Sequence, residues 1–314
     1  MSNTEHHSHH HGHEGHDHHH LHGSLTTTSR AFAIGVVLNM AFVIVEAIFG
    51  VISQSLSLLA DAGHNFSDVI GLLMAWVATL LARRPPSSRF TFGLGGSTIL
   101  AALANSMLLL LAVGAIAWEA VHRLQSPSNV DENTMIGVAL VGVFINVFTA
   151  LLLRHGNDIN RRAAYWHMVA DAAVSAGVVL AGVGIGLTGW QWLDPIISLI
   201  IAAVILAGTW NLFRQSLHLS LQAVPEHIET NDVQDFLACQ PGVSEVHDLH
   251  IWAMSTTENA LTVHIIMPDG HPGDTYLTHL CNALRDEFGI HHSTIQIEIG
   301  NTDKLCQLAS ANTI

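Results

Sequence analysis

Apolar and polar positions along this chain fall into three regimes. Between residues 30 and 214, long apolar stretches recur near 31–52, 56–82, 94–122, 134–154, 163–187 and 192–213. Each is close to or above the ~20 residues that a helix needs to cross a bilayer. The pattern therefore predicts a membrane α-helical domain of six transmembrane helices over 30–214. After Val224-Pro225 the hydropathy becomes that of a water-exposed fold. Residues 229–239 predict a helix, and VSEVHDLHIWAM and NALTVHIIM predict strands around a turn near Thr256–Glu258. A helix over 274–288 follows, and HSTIQIEI predicts the last strand. This α-β-β-α-β order over 225–300 predicts a small two-layer sandwich of sheet and helices. Residues 301–314 form a short tail.

The third regime is residues 1–29, which hold eleven of the 24 histidines, broken up by Ser, Gly, Glu and Asp. With no apolar run, the segment is no signal peptide. It predicts a disordered, metal-sequestering tail.

Composition narrows the function classes. Charged residues make up 11% of the chain, against roughly 25% in soluble domains. Net charge is −14, and 11 basic residues are scattered among 25 acidic ones, which argues against a nucleic-acid partner. Cys239, Cys281 and Cys306 form no CxxC and suit a reducing cytoplasm. Arg83, Arg84 and Arg89 follow the second span, Arg154, Arg161 and Arg162 the fourth, and Arg214 the sixth. The opposite side has only Arg123, with Asp131 and Glu132. The positive-inside rule then places both termini in the cytoplasm. GLGG at 93–96 follows no strand and lacks a Walker lysine, so it predicts a turn and gives no sign of ATP-driven pumping.

The candidate chemistry lies inside the spans. DAGHNFSD in the second places Asp61, His64 and Asp68 on one helix face, and HMVAD in the fifth repeats the spacing with His167 and Asp171. Ionisable groups at membrane depth are costly and mark function. Brought together, His64, Asp68, His167 and Asp171 offer two imidazoles and two carboxylates, a set that suits tetrahedral Zn2+ and balances its charge. Magnesium and calcium prefer all-oxygen shells. Without thiolate, the site can release its ion. A catalytic metal site lacks its usual HExxH here, so no enzyme is expected. Glu46 and Asp61 are candidates for a gate or proton path. Asn39, Asn105 and Asn146 predict hydrogen bonds between helices, and Asp194 predicts a cap for its own helix.

These residues, with SLSLLADAGHNFSD, RRPP…RFTFG, HMVADAAVSAGVV and HDLHIW, resemble the cation diffusion facilitator family, specifically its bacterial zinc exporters. The resemblance implies a homodimer in the bacterial inner membrane that exchanges Zn2+, with Cd2+ or Co2+ as further candidate cargo, for protons. It also implies a ferredoxin-like cytoplasmic domain that dimerises and can carry a regulatory metal site, here on His247, His264, His279 and Glu298, with His250 and His291 as further candidates. Strand alternation sends His247 and Leu249 to one face and Asp248 and His250 to the other, so both histidines share a site only if the strand is bulged. Gln296 stands where some members place another histidine. The rival readings are a membrane-bound metal sensor signalling through its cytoplasmic domain, and a passive channel.

Overall fold

The computed structural model describes residues 40–126, 128–153 and 159–300. The His-rich stretch, the start of the first predicted span with Asn39, Arg154, and the tail with Cys306 lie outside the described residues.

Ten further elements follow α1 (Met40–Ile52). They are α2 (Leu56–Ala82), α3 (Ser97–Gln125), α4 (Glu132–Leu153), α5 (Ile159–Thr188), α6 (Leu193–Ser220), α7 (Thr230–Ala238), β1 (Glu245–Ala253), β2 (Asn259–Ile266), α8 (Asp274–Phe288) and β3 (Ile290–Glu298). Helices α2 to α6 are long and apolar enough to cross a membrane, and α1 is the described part of the first predicted span. Helix α3 starts at Ser97 rather than 94, because residues 91–96 form turns with Gly93 at φ 76°. Helix α6 runs on to Ser220 rather than 213. Nothing after Arg214 breaks it until Gln222 turns at φ 62°, ahead of Pro225.

The membrane helices pack chiefly as α4 on α5, α3 on α6 and α2 on α3. Leu58, Val113, Met135, Val178, Ile185 and Ile201 form the core between them. Large apolar side chains also cover the outside, with Phe144 71% and Leu187 83% exposed, as expected where lipid is the solvent. Close helix approach depends on small residues. A Cβ on Gly182 would lie 2.6 Å from Ile136 Cγ1, so α5 can sit this near α4 only with glycine there.

The start of α2 is clamped. Ser55 is its N-cap, its hydroxyl accepting from Leu58 N. Asp194 does not cap its own helix as predicted. It lies in the first turn of α6, whose N-cap is Trp192. Its carboxylate accepts from Ser55 Oγ (2.8 Å), Leu56 N (2.8 Å), Ser57 N (3.1 Å) and Ser57 Oγ (2.6 Å), and so caps α2 instead. Asp131 N donates to Ser53 O, and Arg123 at the end of α3 donates to Gln54 O. The α1–α2 turn is thus tied to three other parts of the bundle.

In the soluble domain β1 pairs antiparallel with β2, and β2 pairs parallel with β3 through the α8 crossover. Val233 and Leu237 of α7 and Leu280 and Leu284 of α8 pack on Ile251, Leu261, Val263 and Ile265. Both helices therefore cover one sheet face, as in the ferredoxin-like sandwich that was expected. This domain meets the membrane domain at the 83–96 connection and the start of α3. Thr256 N donates to Thr98 Oγ1 (3.1 Å), and the Phe92 ring meets His292 edge-on at 5.4 Å between centroids.

Candidate functional site

Two helices build the intramembrane cluster. The i, i+4 spacing turns His64 and Asp68 to one face of α2 and His167 and Asp171 to one face of α5, and the fold sets these faces opposite each other. His64 Nε2 lies 3.7 Å from Asp68 Oδ2 and 3.7 Å from Asp171 Oδ1. His167 Nε2 lies 3.2 Å from Asp68 Oδ2 and 3.6 Å from Asp171 Oδ2. Each imidazole therefore faces both carboxylates through the same ring nitrogen. A tetrahedral shell with bonds of ~2.0 Å separates its ligand atoms by roughly 3.3 Å, close to these four distances. Asp68 Oδ2, Asp171 Oδ2 and His64 Nδ1 are buried without a hydrogen-bond partner. Such orphaned groups are costly in an apolar medium, and a bound cation would satisfy the two carboxylates.

Access to the cluster is graded. Side-chain exposure rises from 3% at Asp171 and 18% at His64 to 29% at Asp68 and 44% at His167. Asp68 and His167, the two more exposed members, stand nearer the ends of α2 and α5 on the side of the soluble domain.

Towards the clamped end lie further buried polar groups. Asp61 is wholly buried; it accepts from Ser175 Oγ (2.7 Å) and Asn65 Nδ2 (3.2 Å). Glu46 of α1 is equally buried beside Asp61 and Asn65, and neither of its oxygens makes a hydrogen bond of good geometry. Sequence reasoning missed Asn65 and Ser175. Each stands four residues after an acidic residue, Asp61 and Asp171, so helical spacing alone could have placed both on the site-facing side. The hydrogen bonds expected of Asn105 and Asn146 are not made by Asn105 Oδ1 or Asn146 Nδ2, which are buried without partners. Asn105 instead fills the space left by Gly71, where a Cβ would lie 2.6 Å from its Nδ2.

A second cluster lies on the sheet face away from the helices. His247, His264 and Glu298 each present a ligand atom, and these atoms lie within 4.8 Å of one another. His247 Nε2 is 3.6 Å from Glu298 Oε2, and His264 Nδ1 is 3.1 Å from Glu298 Oε1. Simple alternation fails here because β1 is bulged. His247 pairs with His264 and His250 with Thr262, so Asp248 and Leu249 together oppose Val263 alone. Asp248 adopts φ 50° at this point. The shift puts His250 on the same face as His247, and His250 Nε2 lies 3.0 Å from Asp248 Oδ1. His279 stands apart from this cluster, exposed on α8, which packs against the opposite face of the sheet. His291, also exposed, is outside the cluster too.

Comparison with known proteins fits both halves of the chain. Residues 32–219 match the cation efflux transmembrane domain, and residues 225–299 match the cation efflux protein cytoplasmic domain. The metal cation efflux system protein CzcD of Cupriavidus metallidurans is 35% identical over 283 residues, covering 89% of this chain and 90% of that protein. The zinc transporter ZitB of Escherichia coli is 35% identical over 271 residues, covering 85% and 86%. A cadmium, cobalt and zinc/H(+)-K(+) antiporter of Bacillus subtilis is 33% identical over 276 residues, covering 86% and 88%. With family models spanning both the membrane helices and the soluble domain, the chain belongs to the cation efflux family of integral membrane proteins.

Proposed function

We propose that this protein exports Zn2+ from the cytoplasm in exchange for protons, with Cd2+ and Co2+ as further possible cargo. The ion is held by His64, Asp68, His167 and Asp171. The observation that carries this reading is the mutual approach of two imidazole nitrogens and two carboxylates at 3.2–3.7 Å across α2 and α5. The relatives named above as zinc or cadmium, cobalt and zinc transporters support the choice of cargo.

The mechanism follows from the ligand chemistry. With both termini in the cytoplasm of a bacterium, the more exposed end of the cluster, beside the soluble domain, serves as an inward-facing entrance. Zinc enters there past His167 and Asp68 and meets the buried Asp171. Imidazole nitrogen binds either a proton or a metal ion through one lone pair, so loading zinc requires deprotonated histidines. When the site opens on the other face, protons compete for those lone pairs and the ion leaves. Glu46 and Asp61 lie between the site and that face, where they can relay protons. The soluble domain joins two copies into a homodimer.

His247, His264 and Glu298 hold a regulatory metal ion in this reading. Both ring nitrogens of His247 are buried without a hydrogen-bond partner, and a metal ion taken up at Nε2, the nitrogen facing Glu298, would satisfy one of them.

The deciding experiment is zinc uptake into inverted proteoliposomes under an imposed proton gradient. Gradient-driven uptake that Asp171→Ala abolishes supports exchange at this site. Uptake indifferent to the gradient means a channel, and intact metal binding without uptake means a sensor.

A further inference from the structure

The bulge in β1 does more than realign His250. It turns Asp248 towards the sheet cluster, where its Oδ2 lies 3.5 Å from His264 Nε2 and its Oδ1 lies 3.0 Å from His250 Nε2. His264 therefore sits between two carboxylates, with Nδ1 3.1 Å from Glu298 Oε1 and Nε2 facing Asp248. A neutral imidazole carries one N–H and one lone pair. If the hydrogen sits on Nε2 and points at Asp248, the Nδ1 lone pair points at a Glu298 oxygen. With no metal bound, the hydrogen can instead sit on Nδ1 and be donated to Glu298 Oε1; a cation that takes Nδ1 moves it to Nε2, where Asp248 accepts it.

We infer that Asp248 is a positioning residue that fixes His264 with its hydrogen on Nε2, leaving Nδ1 to bind a divalent metal ion beside Glu298 and His247. This rests on the regulatory reading of the cluster given above. Metal-binding histidines commonly donate their second N–H to a carboxylate, which sets ring orientation and raises ligand basicity. Asp248 is suited to that task by its backbone as well. Its φ of 50° is a conformation few residues other than Gly, Asn and Asp adopt easily, and strained positions of this kind gather at ligand sites. His250, half-exposed, donates to the other Asp248 oxygen and holds the carboxylate in place.

Asp248→Asn and Asp248→Gly both tolerate this φ and so separate the side chain from the backbone. The probe is Co2+ titrated into the full-length chain carrying Asp68→Ala and Asp171→Ala, followed by its visible absorption. The signal lost on adding Glu298→Ala isolates the sheet site. Both Asp248 variants should keep one equivalent of that absorption and bind it about 10- to 100-fold more weakly. Asn, which keeps an acceptor oxygen, should fall at the lower end and Gly at the upper. The loss of Co2+ affinity should exceed any fall in the metal-free melting temperature and should not scale with it across the two variants, which a merely structural role would not allow. Unchanged Co2+ affinity in both variants would overturn the positioning role. Loss of the whole equivalent in Asp248→Asn would also overturn it, by making Asp248 a ligand. A signal that Glu298→Ala leaves intact would instead remove the metal site itself, and the role of Asp248 with it.

Discussion

Asp194 offers a quantitative test of how α2, which carries His64 and Asp68, is held. Its carboxylate accepts four hydrogen bonds of 2.6–3.1 Å from Ser55, Leu56 and Ser57 and is wholly buried. In Asp194→Ala one of the two hydroxyls can donate to the other, since Ser55 Oγ and Ser57 Oγ are already 3.1 Å apart. The Leu56 and Ser57 N–H groups have no alternative, because the first turn of a helix has no internal acceptors for them. Each buried donor left unsatisfied costs about 1–3 kcal/mol, so the substitution should destabilise the chain by about 2–6 kcal/mol. At ~2–4 °C per kcal/mol, the melting temperature in detergent should fall on the order of 10 °C. Asp194→Asn keeps one acceptor oxygen and should fall by less than half as much. Transport should weaken in step, as α2 loosens against α6. A melting temperature for Asp194→Ala within a degree of wild type would refute the reasoning, by showing that water or a shifted neighbour caps α2 equally well.

Three more outcomes follow from particular contacts. Gly182→Ala should cost about 1–3 kcal/mol by overpacking, because the new Cβ meets Ile136 Cγ1 at 2.6 Å; thermal unfolding should show Ile136→Ala restoring part of the loss in the double variant. Replacing His64 by Asp makes the cluster three carboxylates and one imidazole, a harder donor set, so competition assays should show Mn2+ gaining on Zn2+. Hydrogen bonds from Gln215 and Arg214 hold Glu226 below its ordinary value of 4.5. A lowered carboxylate pKa gives stability that is present above the unfolded value and lost as pH falls through the folded one. Glu226→Gln should therefore flatten the acid limb of the melting-temperature profile, measured between pH 7 and 3, and a limb of unchanged slope would count against the contact.

Much of this was readable in the chain. Apolar length gave the helices, and α2 ends where the pattern says, at Leu56 and Ala82. The His-x-x-x-Asp repeat in two spans marked the four groups that the structure brings together, because i, i+4 spacing fixes a helix face regardless of the rest of the fold. Asp194 was misassigned for a complementary reason. Local sequence names a capping residue but not which helix end it caps, and the answer depends on α6 lying beside the start of α2.

The sequence by itself therefore determined what depends on local periodicity: span lengths, helix faces, the order of elements in the soluble domain and the ligand types. Tertiary structure alone decided what depends on distance between remote segments. It set α2 against α5 at 3.2–3.7 Å between ligand atoms and left the members nearest the soluble domain the most exposed. It buried Glu46 beside Asp61. It also inserted a bulge at Asp248 that no alternation rule could foresee. A bulge inverts the face of every residue beyond it, and the pairing partner that reveals the extra residue lies on another strand.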